Sequence, residues 1–277
     1  MTDKPPQLRP ENAEVFELDS VARAYRHRPA YPAGVVDALL SLLGRDGGAV
    51  LDAGCGTAEL GRALVESVDR VDAVDVSEAM IAEGRRQERG DHPNLRWVQS
   101  RLEDADLRPP YGLAVAGESL HWMDWEVALP RMQAVLRPGA WLAIVHRDWG
   151  TGAAEESELI PRYSTLQDYR PYDLGRELAT RGLFTGAGRL RFAGTWHPTI
   201  EEYVEARHSQ AGFARDRMGP ARAADFDAEL TTLLQRLVTA GRVRTRPDDA
   251  GGRLDLRVVA EVGWGRPAGS TPSAGSA

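Results

Sequence analysis

A single cysteine, Cys55, leaves no partner for an internal disulfide and rules out a zinc site built on thiolates. No apolar run approaches the roughly 20 residues that a membrane-spanning helix needs, and Met1 to Pro10 is polar and Pro-rich, without the apolar stretch of a signal peptide. Positive charge is short as well. With 34 Lys and Arg against 41 Asp and Glu the net charge is −7, so the clustered cations that grip a phosphate backbone are missing. These absences predict a cytoplasmic protein without nucleic-acid or membrane partners and without a metal, acting on a small molecule, with a homodimer as the one assembly allowed for.

What the chain does have is the stretch Val50-Leu51-Asp52-Ala53-Gly54-Cys55-Gly56-Thr57-Ala58-Glu59-Leu60-Gly61. An apolar run from Ala49 to Leu51 is cut off by small residues, and a helical pattern then begins with Leu60, Ala63 and Leu64. This reads as a buried parallel strand turning into a helix. Glycine there can take φ > 0 and lets a ligand approach the backbone, while the amides opening the next helix offer donors and partial positive charge. Cys55 reads as a small residue tolerated in a crowded turn. About 20 residues further on, the apolar strand Val71 to Val76 carries Asp75, placed like the ribose-binding acid of a Rossmann-type nucleotide site. Two familiar loops are excluded: the third residue after Gly56 is Glu59, which breaks G-x-G-x-x-G, and no G-K-[ST] follows.

Taken in order, residues 1–15 are expected to be flexible and 266–277, mostly Pro, Gly, Ser and Ala, to be a disordered tail. Between them the periodicities predict a helix over 33–43 ended by Gly44, a helix over 78–86 capped by Ser77, and strands at 95–99, 113–116 and 141–145. A helix over 125–136 separates the last two. Further on come a helix over 173–181, strands at 189–193 and 254–262, and two helices, 200–213 and 221–240, between those strands. The fold class is therefore α/β: a Rossmann-like, seven-stranded, mostly parallel sheet with helices on both faces. One domain, 16–265, carries the helices in about 199–250 as a cap that shapes the substrate pocket.

Five separated motifs give the chain a resemblance. Asp52, Gly54 and Gly56, with Ala58 where a third glycine is usual, match motif I, D-x-G-x-G-x-G, of the class I S-adenosylmethionine (SAM) dependent methyltransferases. Tyr25 to Pro32 follows the Y-x-x-R-P-x-Y-P pattern of their small-molecule branch, the type 11 and trans-aconitate methyltransferase-like proteins, where it looks like a lid. Ser100-Arg101-Leu102-Glu103-Asp104 stands where that family often has G-D-A-E-D. Ala116-x-x-x-Leu120-His121-Trp122 with Asp124, and Leu136-Arg137-Pro138-Gly139-x-x-Leu142-x-Ile144, complete the series, which covers roughly Tyr25 to Val145. The resemblance implies SAM as cofactor, with contacts from Tyr25, Arg28, Asp52, Gly54, Gly56, Asp75, Val76, Met80, Leu102, Glu103 and Gly117. Arg28 and Tyr25 would clasp the methionine carboxylate, guanidinium geometry suiting a carboxylate.

The implied activity is methyl transfer to an oxygen, nitrogen or carbon atom of a small molecule, a natural product among the candidates. Such a displacement needs the nucleophile held close and water kept out; a base is optional, and where the acceptor is a hydroxyl or phenol, His is the usual candidate. His121 and His146 follow strand ends on the ligand side and are the candidate bases, each open to a packing role instead. Glu118 is a candidate to orient His121 or to bind a substrate cation. Trp122, Trp125 and Trp149 would line an apolar rim. Two other readings compete: a repurposed SAM-binding fold with a regulatory or non-methylating role, and a nicotinamide oxidoreductase, which lacks its glycine spacing and a Tyr-x-x-x-Lys pair here.

Overall fold

The computed structural model describes residues 4–166, 169–170, 172–247 and 252–268. At its centre β1 (Ala49–Ala53) pairs in parallel with β2 (Arg70–Asp75) on one side and β4 (Tyr111–Gly117) on the other. Outside these lie β3 (Leu95–Gln99) and β5 (Leu136–Trp149), also parallel. β8 (Arg253–Pro267) runs antiparallel to β5, and β6 (Phe184–Trp196) antiparallel to β8. The order is β3-β2-β1-β4-β5-β8-β6, built from the seven strands the sequence predicts; the three-residue β7 (Arg244–Arg246), too short to show a period, adds an eighth strand against β8.

β1 is buried along its whole length and β4 at every residue but its last, because helices cover both faces, which is why both read as unbroken apolar runs. On one face Leu51, Ala114 and Leu142 meet Trp125 and Leu129. On the other, Val50, Val115 and Val145 meet Val35 and Leu39 of α1 (Gly34–Leu43) and Leu60 and Leu64 of α2 (Glu59–Leu64). Gly44, at φ 81°, ends α1 as the sequence predicts. Ser77 accepts the Met80 amide at 3.1 Å and so caps α3 (Glu78–Arg85). Asp124 caps α4 (Trp125–Val135) in the same way, accepting from Glu126.

The second half builds its own core. α5 (Ala154–Tyr163), α7 (Ile200–His208) and α8 (Pro220–Thr239) bury Leu159, Tyr203, Phe226, Leu230 and Leu234 against Leu254 and Leu256 of β8, while α6 (Leu174–Thr180) packs Leu178 under the sheet. The predicted helix over 200–213 ends at His208, and a separate turn follows at Ala211–Phe213. Trp149 is not at a substrate rim: it stacks in this lobe, 5.1 Å from Trp196 and 5.9 Å from Tyr203.

Two terminal expectations change. Of the segment 1–15 expected to be flexible, the described part folds into short helical turns, Pro6–Leu8, Pro10–Ala13 and Glu14–Glu17, with Leu8 and Val15 buried. The turns are too short for any periodicity to show in the sequence. At the other end Arg266 and Pro267 belong to β8, because they pair with Thr185 and Phe184; residues 269–277 lie outside the described ones. No described helix is long and apolar enough to cross a membrane, and the described residues hold no cluster of three His, Cys, Asp or Glu able to hold a metal.

Candidate active site

The turn from β1 into α2 alternates left-handed residues: Gly54 at φ 63°, Gly56 at 55° and Ala58 at 52°. The two glycines do different work. A Cβ on Gly54 would stand 2.6 Å from Ser119 Cβ, so this glycine lets β1 and β4 close on each other. A Cβ on Gly56 would meet nothing nearer than Tyr25 at 3.9 Å, so this position is the one left open beside the cleft. Ala58, where the family pattern has a third glycine, takes the left-handed region with a methyl in place, fully buried.

Asp52 of the motif and Asp75 at the end of β2 both brace this turn. Asp52 accepts the Gly61 amide at 3.0 Å, and burial pushes its carboxyl up to about 7. Asp75 accepts the Gly56 amide at 2.7 Å and the Ser77 amide at 2.8 Å, which ties the loop to the end of β2, and burial raises its carboxyl too. Each Asp75 oxygen keeps capacity for a further donor.

Around this turn lies a cleft of about 740 Å³. Every residue that the sequence assigns to the cofactor lines it: Tyr25, Arg28, Asp52, Gly54, Gly56, Asp75, Val76, Met80, Leu102, Glu103 and Gly117. Val76 leaves 48% of its surface exposed there, a bare apolar patch beside the acid. Glu103 accepts the Asp124 amide at 3.0 Å. Arg28 stacks 3.9 Å over the Tyr25 ring and gives Nε and one terminal nitrogen to Ser209, each at 2.7 Å. These features fit a nucleoside-bearing ligand: an acid for hydroxyls, an apolar shelf for a base, and open backbone between them.

The three candidate catalytic residues part company. Glu118 lines the cleft in the left-handed region, φ 56°. Its Oε1 accepts from the Arg147 amide and from His146 Nδ1 at 2.9 Å. Burial alone would raise its carboxyl; the bond and charge of His146, the His121 charge and the Arg147 amide reverse that and hold it below the usual glutamate range. His146 is not among the lining residues. Its side chain is 70% exposed, and the Glu118 bond raises its ring above the ordinary histidine value. His121 is not a lining residue either; its ring lies 4.8 Å from Trp122, and burial lowers it to about 4, which makes it a weak base.

Sequence reasoning missed Arg147. It shares a face of β5 with Ala143 and Val145, so period-two counting puts it on the cleft side and His146 on the other, a signal that was there to be read. Its buried guanidinium reaches Glu59 at 2.9 Å and the Pro29 carbonyl and lies 4.1 Å over the Tyr31 ring. The Tyr31 amide donates to the same Glu59 at 2.8 Å. One cation thus binds the lid to the first turn of α2.

The roof was missed too. Lys4, the chain's only lysine, with Leu8, Phe16 and Glu17, lines the cleft from the N-terminal turns. Lys4 donates to the Met123 and His121 carbonyls and sits 4.3 Å over Trp125, where burial lowers it to about 8. Phe16 packs edge-on between Tyr25 and Trp122. The cap helices expected to shape the pocket contribute no lining residue among the described ones; Ser209, which holds Arg28, and Ala211 and Ala214, which pack with Met80 and Trp122, stand behind its wall.

Residues 50–139 match the family described as methyltransferase domain. The chain is 32% identical to a malonyl-[acyl-carrier protein] O-methyltransferase of Salmonella typhimurium over 124 residues, 44% of this chain and 48% of that protein. It is 35% identical to an uncharacterized methyltransferase of Mycobacterium bovis, over 49% of this chain and 53% of that one. The chain thus spans about half the length of the curated relatives it matches. A solved protein of Anaeromyxobacter dehalogenans, provisionally named a type II methyltransferase, has the same fold, with TM-score 0.59 and 23% identity over 86% of this chain and 97% of that one.

Proposed function

We propose that this chain is a class I SAM-dependent methyltransferase that transfers the methyl group of SAM to an oxygen, nitrogen or carbon atom of a small molecule, natural products included. The observation that carries the reading is one cleft on which the glycine turn, Asp75 and the end of β4 converge. When bound, SAM supplies an electrophilic methyl group. Asp75 would hold the ribose hydroxyls, Val76, Leu102 and Glu103 the adenine, and Arg28 with Tyr25 the methionine carboxylate. Arg28 keeps one terminal nitrogen for that carboxylate after its two bonds to Ser209. Phe16, Trp122 and Trp125 exclude water from one side, as displacement at a methyl group requires. The cleft volume and its mixed apolar and charged wall support a small acceptor.

Titration calorimetry of the full chain with SAM and, separately, NADH tests the cofactor. SAM binding with no NADH signal supports the reading; NADH binding without SAM overturns it. Asp75→Ala should weaken SAM by about 1.5–3 kcal/mol, since charge-assisted bonds are lost. Incubation of chain and SAM with a small-metabolite extract, read by mass spectrometry, should show S-adenosylhomocysteine formed together with an acceptor heavier by one methylene.

A further inference from the structure

We infer that Glu118 is a built counter-ion for the sulfonium of the cofactor and makes the cleft favour the charged cofactor over its neutral product, S-adenosylhomocysteine; this rests on the SAM reading above. Four observations meet at this residue. It lines the cleft directly after β4, and its neighbour Ser119 packs against Gly54 at the middle of the glycine turn. With adenosine held by Asp75 and Leu102 at the ends of β2 and β3, the methionine end of the cofactor runs toward β4, where Glu118 emerges.

The backbone there is one that a glutamate rarely adopts, φ 56°, and strain of this kind persists where the surroundings over-determine it. The Arg147 amide and His146 do so by taking the same oxygen, Oε1. No described protein donor takes Oε2, so a carboxylate three-quarters buried keeps one oxygen for the cleft. Of the two guanidiniums nearby, Arg147 is paired with Glu59, and Arg28, whose bonds to the neutral Ser209 leave its charge intact, is the one assigned above to the methionine carboxylate. An anion fixed in this way on the cleft wall acts on a cation placed beside it.

The sulfonium of SAM is such a cation, whereas S-adenosylhomocysteine carries a neutral thioether at the same atom. A carboxylate beside that sulfur would add charge attraction for the first ligand and not for the second, which would also help product to leave.

The test is titration calorimetry of the full chain with SAM and with S-adenosylhomocysteine, on wild type and Glu118→Gln at one pH and low salt. Wild type should bind SAM more tightly. Glu118→Gln should lose about tenfold or more in SAM affinity while S-adenosylhomocysteine stays within about threefold. Equal losses for both ligands mean that Glu118 only shapes the wall, and unchanged affinities mean that it does not face the sulfur; either overturns the inference. If Glu118→Gln does not fold, Glu118→Gly fits the left-handed backbone and removes the charge, with the same outcomes expected. A wild-type chain that binds neither ligand overturns the SAM reading itself.

Discussion

Gly54 and Gly56 sit two residues apart in the same backbone region, and their surroundings set different costs for a methyl group. At Gly54 a left-handed alanine costs about 1–2 kcal/mol and the overlap with Ser119 about 1–3 kcal/mol more. Gly54→Ala should therefore lower unfolding free energy by roughly 2–5 kcal/mol. Gly56→Ala carries the backbone cost alone, about 1–2 kcal/mol, and should show its main effect as weaker SAM binding. Urea denaturation and calorimetry on both variants separate the two; equal stability losses would mean that the glycines share one role. The motif alone could not tell them apart, because what distinguishes them is Ser119, 65 residues away in sequence and brought close only when β1 and β4 pair.

Among the elements, the parallel strands were legible because each is an apolar run bounded by turn residues, and α1 and α3 because Gly44 and Ser77 punctuate them. The roof was not legible. Its turns of three or four residues have no period, and Leu8 and Val15 gain meaning only against α4 and Met80. The cap was legible as a long insertion between strands but its packing was not: it buries its own aromatic core and meets the residues around the cleft through Ser209, Ala211 and Ala214. What joins lid to sheet is the buried pair Arg147 and Glu59. Arg147→Met leaves Glu59 two-thirds buried without its cation and should cost about 2–3 kcal/mol in urea unfolding. Adding Glu59→Gln should recover part of that loss, a coupling of at least about 0.5 kcal/mol. Strict additivity would show that the lid is not held through this pair.

Across the whole molecule, the half-buried His121 and the buried Asp52 tilt stability with pH in opposite directions. His121 is lowered to about 4, so between about pH 6.5 and 4 the unfolded chain takes a proton that the folded chain refuses, and stability falls on acidification. Asp52 is raised to about 7, so between about pH 4 and 7 the folded chain holds a proton that the unfolded chain releases, and stability falls on alkalinisation. The two slopes oppose each other within one window. Removing either should expose the other: His121→Gln should lose stability from pH 4.5 to 7, and Asp52→Asn should gain it, each by roughly 1–2 kcal/mol. Thermal melts of both variants across that range check the signs, and a pair of parallel curves would contradict them.

The roof has a consequence in time. Residues 4–17 are made well before the segments they rest on: Gln7 exchanges bonds with the Arg170 backbone, and Arg217 donates to the Glu11 carbonyl and, at 3.3 Å, to Asn12. At about 5–20 residues per second, their seat emerges roughly 10–40 s after they do. Through that interval the nascent chain can pair β1 with β2 and set the glycine turn, but it cannot close the cleft. Ligand is therefore a poor aid to the early steps of synthesis and a good one to the last, and a nascent chain stalled before Arg217 should hold SAM weakly even where its central sheet has formed.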